Sequence, residues 1–154
     1  MRFELQIAGR QTLPSWLVWQ GGMPATPDDF TAWIAAHRDD LESALAHNGA
    51  VVIRGLRLAS ALEFRQVCAT VNPLLQNYGG GDSPRTGLAD QVYTSTEYDA
   101  SLEVLLHNEL SYAGWCPERV FFGCLVPSIT GGATTLADGR QIYRARPRRD
   151  VLAP

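Results

Sequence analysis

Apolar residues recur along this chain with two different periods, and the change between them divides it. Phe30, Trp33, Ile34, His37, Leu41, Ala44 and Leu45 return every three or four residues, the buried stripe of an amphipathic helix. Its start is written in Thr26-Pro27-Asp28-Asp29: a hydroxyl cap, proline at the first helical position, then two acids at the positive end of the dipole. Gly49 suits a left-handed cap at its end, and Ala50-Val51-Val52-Ile53 follows as a short buried strand closed by Arg54-Gly55. A second helix opens at Ser60, with Glu63 completing a capping box. Its inner face carries Phe64, Val67, Cys68 and Val71, and Asn72-Pro73 stops it. Residues 1 to 25, with Pro14, Pro24, Gly21-Gly22, Trp16 and Trp19, read as an irregular arm packed over the body rather than a strand ladder.

Tyr78-Gly79-Gly80-Gly81-Asp82-Ser83-Pro84-Arg85 is a loop: three consecutive glycines sustain neither helix nor strand. Its spacing matches neither G-x-G-x-x-G nor a Walker loop, which argues against phosphate cradling. From residue 91 the character becomes β. Val92-Tyr93-Thr94-Ser95-Thr96 is β-branched and aromatic, Leu102 to Leu110 is the central candidate strand, and Arg119 to Val126 is another, stopped by Pro127. Gly131-Gly132 makes a turn before a short strand, Ala133 to Ala137. Helices first and strands later predict an α+β domain whose strands form a sandwich or barrel.

Bulk properties narrow the function classes. At 154 residues the chain is one domain, and 45% hydrophobic with 19% charged residues excludes intrinsic disorder. A formal charge of -3 gives no electrostatic case for nucleic acid. No apolar run is long enough to cross a bilayer, and Met1-Arg2-Phe3-Glu4 opens no signal-peptide core. Cys68, Cys116 and Cys124 show no C-x-x-C spacing, so they read as reduced thiols of a cytoplasmic protein. Residues 144–154 form a basic, proline-interrupted tail, for which solvation is the default.

The candidate chemistry lies in Leu106-His107-Asn108-Glu109-Leu110. On an extended strand His107 and Glu109 point to one side and Asn108 to the other. An imidazole and a carboxylate converging on one point are two thirds of a 2-His-1-carboxylate site for non-haem Fe(II). A solvent-facing His/Glu pair is the bland alternative, and the bare triplet has little specificity. A serine hydrolase is disfavoured because no G-x-S-x-G is present, and a zinc hydrolase because it needs three protein ligands.

Further motifs stand in order around the triplet: Gly80-Gly81-Asp82-Ser83-Pro84-Arg85, Val92 to Tyr98, Leu106 to Tyr112, Trp115 to Pro117, and Gly131-Gly132-Ala133-Thr134-Thr135-Leu136-Ala137-Asp138. In this combination the chain resembles the TauD/TfdA family of Fe(II)/2-oxoglutarate-dependent dioxygenases, nearest in flavour to its clavaminate-synthase-like and syringomycin-biosynthesis-like branch. The resemblance runs from about Pro27 to about Tyr143. It implies a double-stranded β-helix (jelly roll), with His107 and Glu109 as iron ligands on a core strand. It implies that the Thr134 hydroxyl contacts a 2-oxoglutarate carboxylate, and that Arg85, Thr96, Asn108 and Tyr112 lie near the pocket. The implied reaction takes Fe(II), 2-oxoglutarate and O2, releases succinate, and hydroxylates a small amino-acid-like substrate, free or tethered to a carrier protein.

The family pattern also contains a second histidine and a 2-oxoglutarate-binding arginine, roughly a hundred or more residues beyond the triplet. This sequence has no histidine after His107; His37 and His47 both fall on the first helix. The expectation is therefore an incomplete TauD/TfdA-like domain over residues 1–143, truncated before the barrel closes, followed by a tail unlike the family. Open strand edges in such a piece invite self-association. A catalytically inactive fragment or interaction module that retains the family's fold elements is the alternative.

Overall fold

The computed structural model describes residues 1–9, 13–79, 84–95, 97–99 and 101–145. Thr96, the glycine run from Gly80 to Ser83, and the tail from residue 146 lie outside the described residues. The order of elements is β1 (Phe3–Gln6), β2 (Ser15–Trp19), α1 (Pro27–Asn48), β3 (Val51–Arg54), α2 (Ala61–Val71), β4 (Gly87–Ala89), β5 (Val92–Tyr93) and α3 (Gly139–Ala145). Together they make a small α+β unit with two short sheets and no closed barrel among the described residues.

The helix signals behave as their chemistry predicts. Thr26 Oγ1 accepts from the Asp29 amide at 3.3 Å while Asp29 Oδ2 accepts from the Thr26 amide at 2.8 Å. This closes a capping box at the start of α1. Gly49 ends the helix at φ 78°, its amide donating to the Leu45 carbonyl at 2.7 Å. Ser60 caps α2 through the Glu63 amide, although the Glu63 carboxylate reaches back to the Ala59 amide rather than to Ser60 itself. One residue of the expected buried stripe departs. The backbone leaves helical φ/ψ at His37 (φ -132°, ψ 25°), and its ring is exposed, stacked on Trp33 with Nδ1 2.9 Å from Asp40 Oδ2. A kink that turns the imidazole to solvent spares it burial against apolar neighbours.

The amino-terminal arm corrects the sequence reading: it is a strand ladder. β1 pairs antiparallel with β2, Phe3 opposite Trp19 through Gln6 opposite Trp16, and β2 pairs parallel with β3, Ser15 opposite Val51 through Val18 opposite Arg54. α1 is the crossover that a parallel pair requires. Ser15 and Leu17 are fully buried while Trp16 and Val18 between and beyond them are half-exposed, a period of two obscured in sequence by the neighbouring prolines and glycines. Phe3, Leu17, Ala25, Phe30, Trp33, Ile34, Leu41, Val67 and Val71 form the core between this sheet and the two helices. One polar group is sealed beneath it: Ser15 Oγ donates to Asn48 Oδ1 at 2.7 Å and accepts from the Ala8 amide at 3.1 Å.

The second half departs further from expectation. Val92–Tyr93 is a strand, paired with Gly87–Ala89, but 102–110, 119–126 and 133–137 form no ladder. The physical reason is pairing: a strand satisfies its backbone only against a neighbour, and no neighbour is supplied among the described residues. Many apolar side chains of these stretches are correspondingly exposed, Leu105 by 71%, Phe122 by 66% and Val126 by 86%, whereas Leu110 is buried and Phe121 packs against the core. The Gly131-Gly132 turn is present with both residues at positive φ, and α3 follows from Gly139. Side-chain contacts bind this half to the first. Gly123 lies so close to the Phe64 ring that a Cβ would stand 2.7 Å from it, and Arg140 donates to the Ala46 and His47 carbonyls at the end of α1.

Candidate metal centre

His107 and Glu109 lie on irregular backbone, so the strand alternation that would bring them to one side does not apply. The chain turns here instead. The Ser111 amide donates to the Asn108 carbonyl at 3.3 Å, and the Ala113 amide to the Leu110 carbonyl at 2.9 Å. Leu110 anchors the turn, 3% exposed and held at φ 54°, a left-handed conformation unusual for a branched apolar residue.

The two side chains sit in different surroundings. His107 is exposed, with Nδ1 2.7 Å from the Leu105 carbonyl oxygen. A carbonyl only accepts, so Nδ1 is the ring nitrogen that donates here, and Nε2 is the one left to meet a ligand. That is the arrangement of a metal-ligating imidazole whose other nitrogen is fixed by a backbone acceptor. The Glu109 side chain is 18% exposed, and Arg85 Nη2 donates to its Oε1 at 3.2 Å. Arg85 is 17% exposed, with its guanidinium carbon 4.4 Å from the centre of the Tyr78 ring. Tyr78 leans on Tyr93 with ring centres 5.9 Å apart, and the Tyr93 hydroxyl donates to Asn77 Oδ1 at 3.1 Å. Beside this group Thr94 Oγ1 donates to Glu97 Oε1 at 2.6 Å, which holds the Glu97 carboxyl below its usual range.

Of the residues singled out in sequence, the fold therefore brings Arg85 and Glu109 together. Asn108 and Tyr112 are exposed, as is Thr134 on the irregular stretch after the double-glycine turn. Tyr78 and Tyr93, which seat Arg85, were not candidates. An aromatic residue directly before a glycine run was the available signal for Tyr78.

An imidazole nitrogen and a carboxylate oxygen are the donors that Fe(II) takes. The residues present do not complete such a site: no group of three His, Cys, Asp or Glu residues is gathered at metal-binding range among the described residues.

Residues 18–151 match the family described as taurine catabolism dioxygenase TauD, TfdA family. The chain belongs to the TauD/TfdA family. It is 30% identical to a clavaminate synthase-like protein of Arabidopsis thaliana over 114 residues, covering 74% of this chain and 34% of that relative. It is 26% identical to the dapdiamide synthesis protein DdaC of Enterobacter agglomerans over 102 residues, 66% of this chain and 31% of that protein. The TauD/TfdA chain thus spans about a third of the length of these relatives, and it falls within a family of non-haem iron dioxygenases.

Proposed function

We propose that this chain is the His107/Glu109-bearing portion of an Fe(II)/2-oxoglutarate-dependent hydroxylase acting on a small amino-acid-like substrate, free or carrier-bound. The observations that support the reading are the His107 ring held through Nδ1 on the Leu105 carbonyl and the largely buried Glu109 carboxylate, inside a segment that matches the family along its length. His107 Nε2 and a Glu109 oxygen would hold the metal, which when bound supplies the O2 activation that couples 2-oxoglutarate decarboxylation to hydroxylation. Thr134 would meet a carboxylate of 2-oxoglutarate, with Arg85, Thr96, Asn108 and Tyr112 bordering the pocket. A relative named for dapdiamide synthesis supports a substrate of amino-acid character. The free thiols Cys68, Cys116 and Cys124 support a cytoplasmic setting.

The shortage of a third donor favours a second reading: a catalytically inactive fragment or interaction module that keeps the family's elements. Two ligands leave the ion mostly hydrated, so this chain alone binds Fe(II) weakly. The exposed apolar residues of 102–129 support self-association.

Succinate release from 2-oxoglutarate, with Fe(II), ascorbate and O2 supplied, separates the two readings. Release that His107→Ala and Glu109→Gln abolish supports the hydroxylase. Absence of release at any iron concentration supports the inactive fragment.

A further inference from the structure

Residues Arg119 to Cys124 run without turn or bend, and their side chains alternate between two sides although no ladder holds them. Arg119 turns inward to Glu42, Phe121 packs against the core, and a Cβ on Gly123 would stand 2.7 Å from the Phe64 ring. The residues between face the other way. Val120 is 46% exposed, Phe122 is 66% exposed, and the Cys124 thiol is exposed. Among the described residues no backbone–backbone hydrogen bond reaches 119–126. The segment thus has the side-chain period of a strand. One face is fastened to α1 and α2, and its main-chain donors and acceptors are unclaimed within the described chain.

We propose that this segment is a self-pairing edge: two copies of the chain meet antiparallel across a two-fold axis, with Phe122 opposite Phe122. The proposal rests on the self-association of the second reading above and gives it a place and a register. An edge that stays solitary commonly carries a guard, such as a lysine, a proline or an inward charge. None stands between Arg119 and Pro127, and no charged residue follows Arg119 before Asp138. A second copy is the occupant that this favours. Each copy carries a formal charge of -3, yet here the two meet through a stretch that holds none of it, so no like charges come opposite each other. A two-fold pair also needs a surface that complements itself. The register follows from the alternation. Opposed residues of an antiparallel pair lie on one face, so the axis passes through a residue rather than between two. Phe122 is the middle of the outward trio. Centring there joins the two Phe122 rings and sets Val120 opposite the second copy's Cys124. A ladder of about six residues covers less than the ~1,600 Å² of a standard interface, so the pair is weak and concentration-dependent.

Sedimentation of the full 154-residue chain from micromolar to millimolar concentration tests this, with amide hydrogen exchange over 119–126 read in parallel. A monomer–dimer equilibrium is expected, and exchange over 119–126 should slow as the dimer fills. Phe122→Lys is expected to weaken the dimer about 10–100-fold, as removal of a central aromatic contact does. Its circular dichroism should be unchanged, because the ring it replaces lies mostly in solvent. A second variant reads the register. Val120→Cys in a Cys116→Ser background puts a thiol opposite the second copy's Cys124, and oxidised glutathione should link them into a covalent dimer. Within one copy residues 120 and 124 of an extended segment stand too far apart to bridge. Cys116→Ser alone should give no covalent dimer, since the two Cys124 residues then lie on opposite sides of the axis. Self-association with exchange over 119–126 still fast, or untouched by Phe122→Lys, overturns the pairing and leaves the self-association reading standing. Slow exchange over 119–126 in the dilute monomer also overturns the pairing, giving the edge to a neighbour in the same chain. Growth beyond the dimer overturns the closed two-fold. A chain that stays monomeric throughout defeats the self-association reading and this inference with it.

Discussion

Arg119 and Glu42, 77 residues apart, meet through two parallel contacts, Nη1 to Oε1 at 2.8 Å and Nη2 to Oε2 at 2.7 Å. This fork-to-fork pair fastens the irregular second half of the chain to the middle of α1. Both side chains keep about a third of their surface in water, which limits what the pair contributes. Arg119→Ala is expected to cost about 1 kcal/mol, more than a simple exposed pair because the geometry is bidentate. Urea denaturation would measure it. Glu42→Gln should lose nearly as much, and the double variant little more than either single one.

The amino-terminal cap of α1 gives a pH dependence of defined sign. The Thr26 amide, and then its hydroxyl, hold Asp29 below its ordinary 3.8. A lowered pKa means the contribution is fully present above the unfolded value near 3.8 and is lost as pH falls through the lower folded value. Helix content followed by circular dichroism should therefore hold down to about pH 4 and weaken on further acidification. Thr26→Ala is expected to cost about 1 kcal/mol at neutral pH and to flatten that acid limb. An unchanged acid limb would assign it to Glu97, Asp99 and Asp138, which local hydrogen bonds also hold low.

Ser15 is fully buried, and its hydroxyl joins the start of β2 to the end of α1 through Asn48. Ser15→Ala removes a donor to Asn48 Oδ1 and an acceptor for the Ala8 amide in a place water does not reach. The expected loss is about 1–3 kcal/mol by urea denaturation, with the folded state's secondary structure unchanged. A neutral result would mean that water enters beneath the sheet.

Burial pushes the Cys68 thiol up to about 12, whereas Cys116 and Cys124 are exposed. The thiolate is the reactive form, so Cys68 stays unreactive at pH 8. A thiol reagent is expected to modify Cys116 and Cys124 promptly and Cys68 only in denaturant. Mass spectrometry of the labelled peptides would identify them, and rapid labelling of Cys68 would contradict the packing of α2 on the core.

The parts of this protein that depend on neighbours close in sequence were determined by the sequence itself. α1 and α2 start and stop where Thr26, Gly49, Ser60 and Asn72 say they should, because caps are satisfied within three or four residues. The same holds for β3 and for the turn at Gly131-Gly132. The motif order around His107 marked the family, since the spacing of chemically demanding residues survives in one dimension. What the sequence did not decide was pairing across distance. Whether residues 3–6 and 15–19 form a ladder depends on β3 lying beside them, which α1 arranges. Whether 102–110 becomes a strand depends on a neighbouring edge, and without one Leu102, Val104, Leu105 and Leu106 stay exposed. Only the tertiary structure placed Arg85 against Glu109, across 24 residues, with Tyr78 behind it. A charge pair of that separation has no periodicity to read, because the loop between its members fixes the meeting.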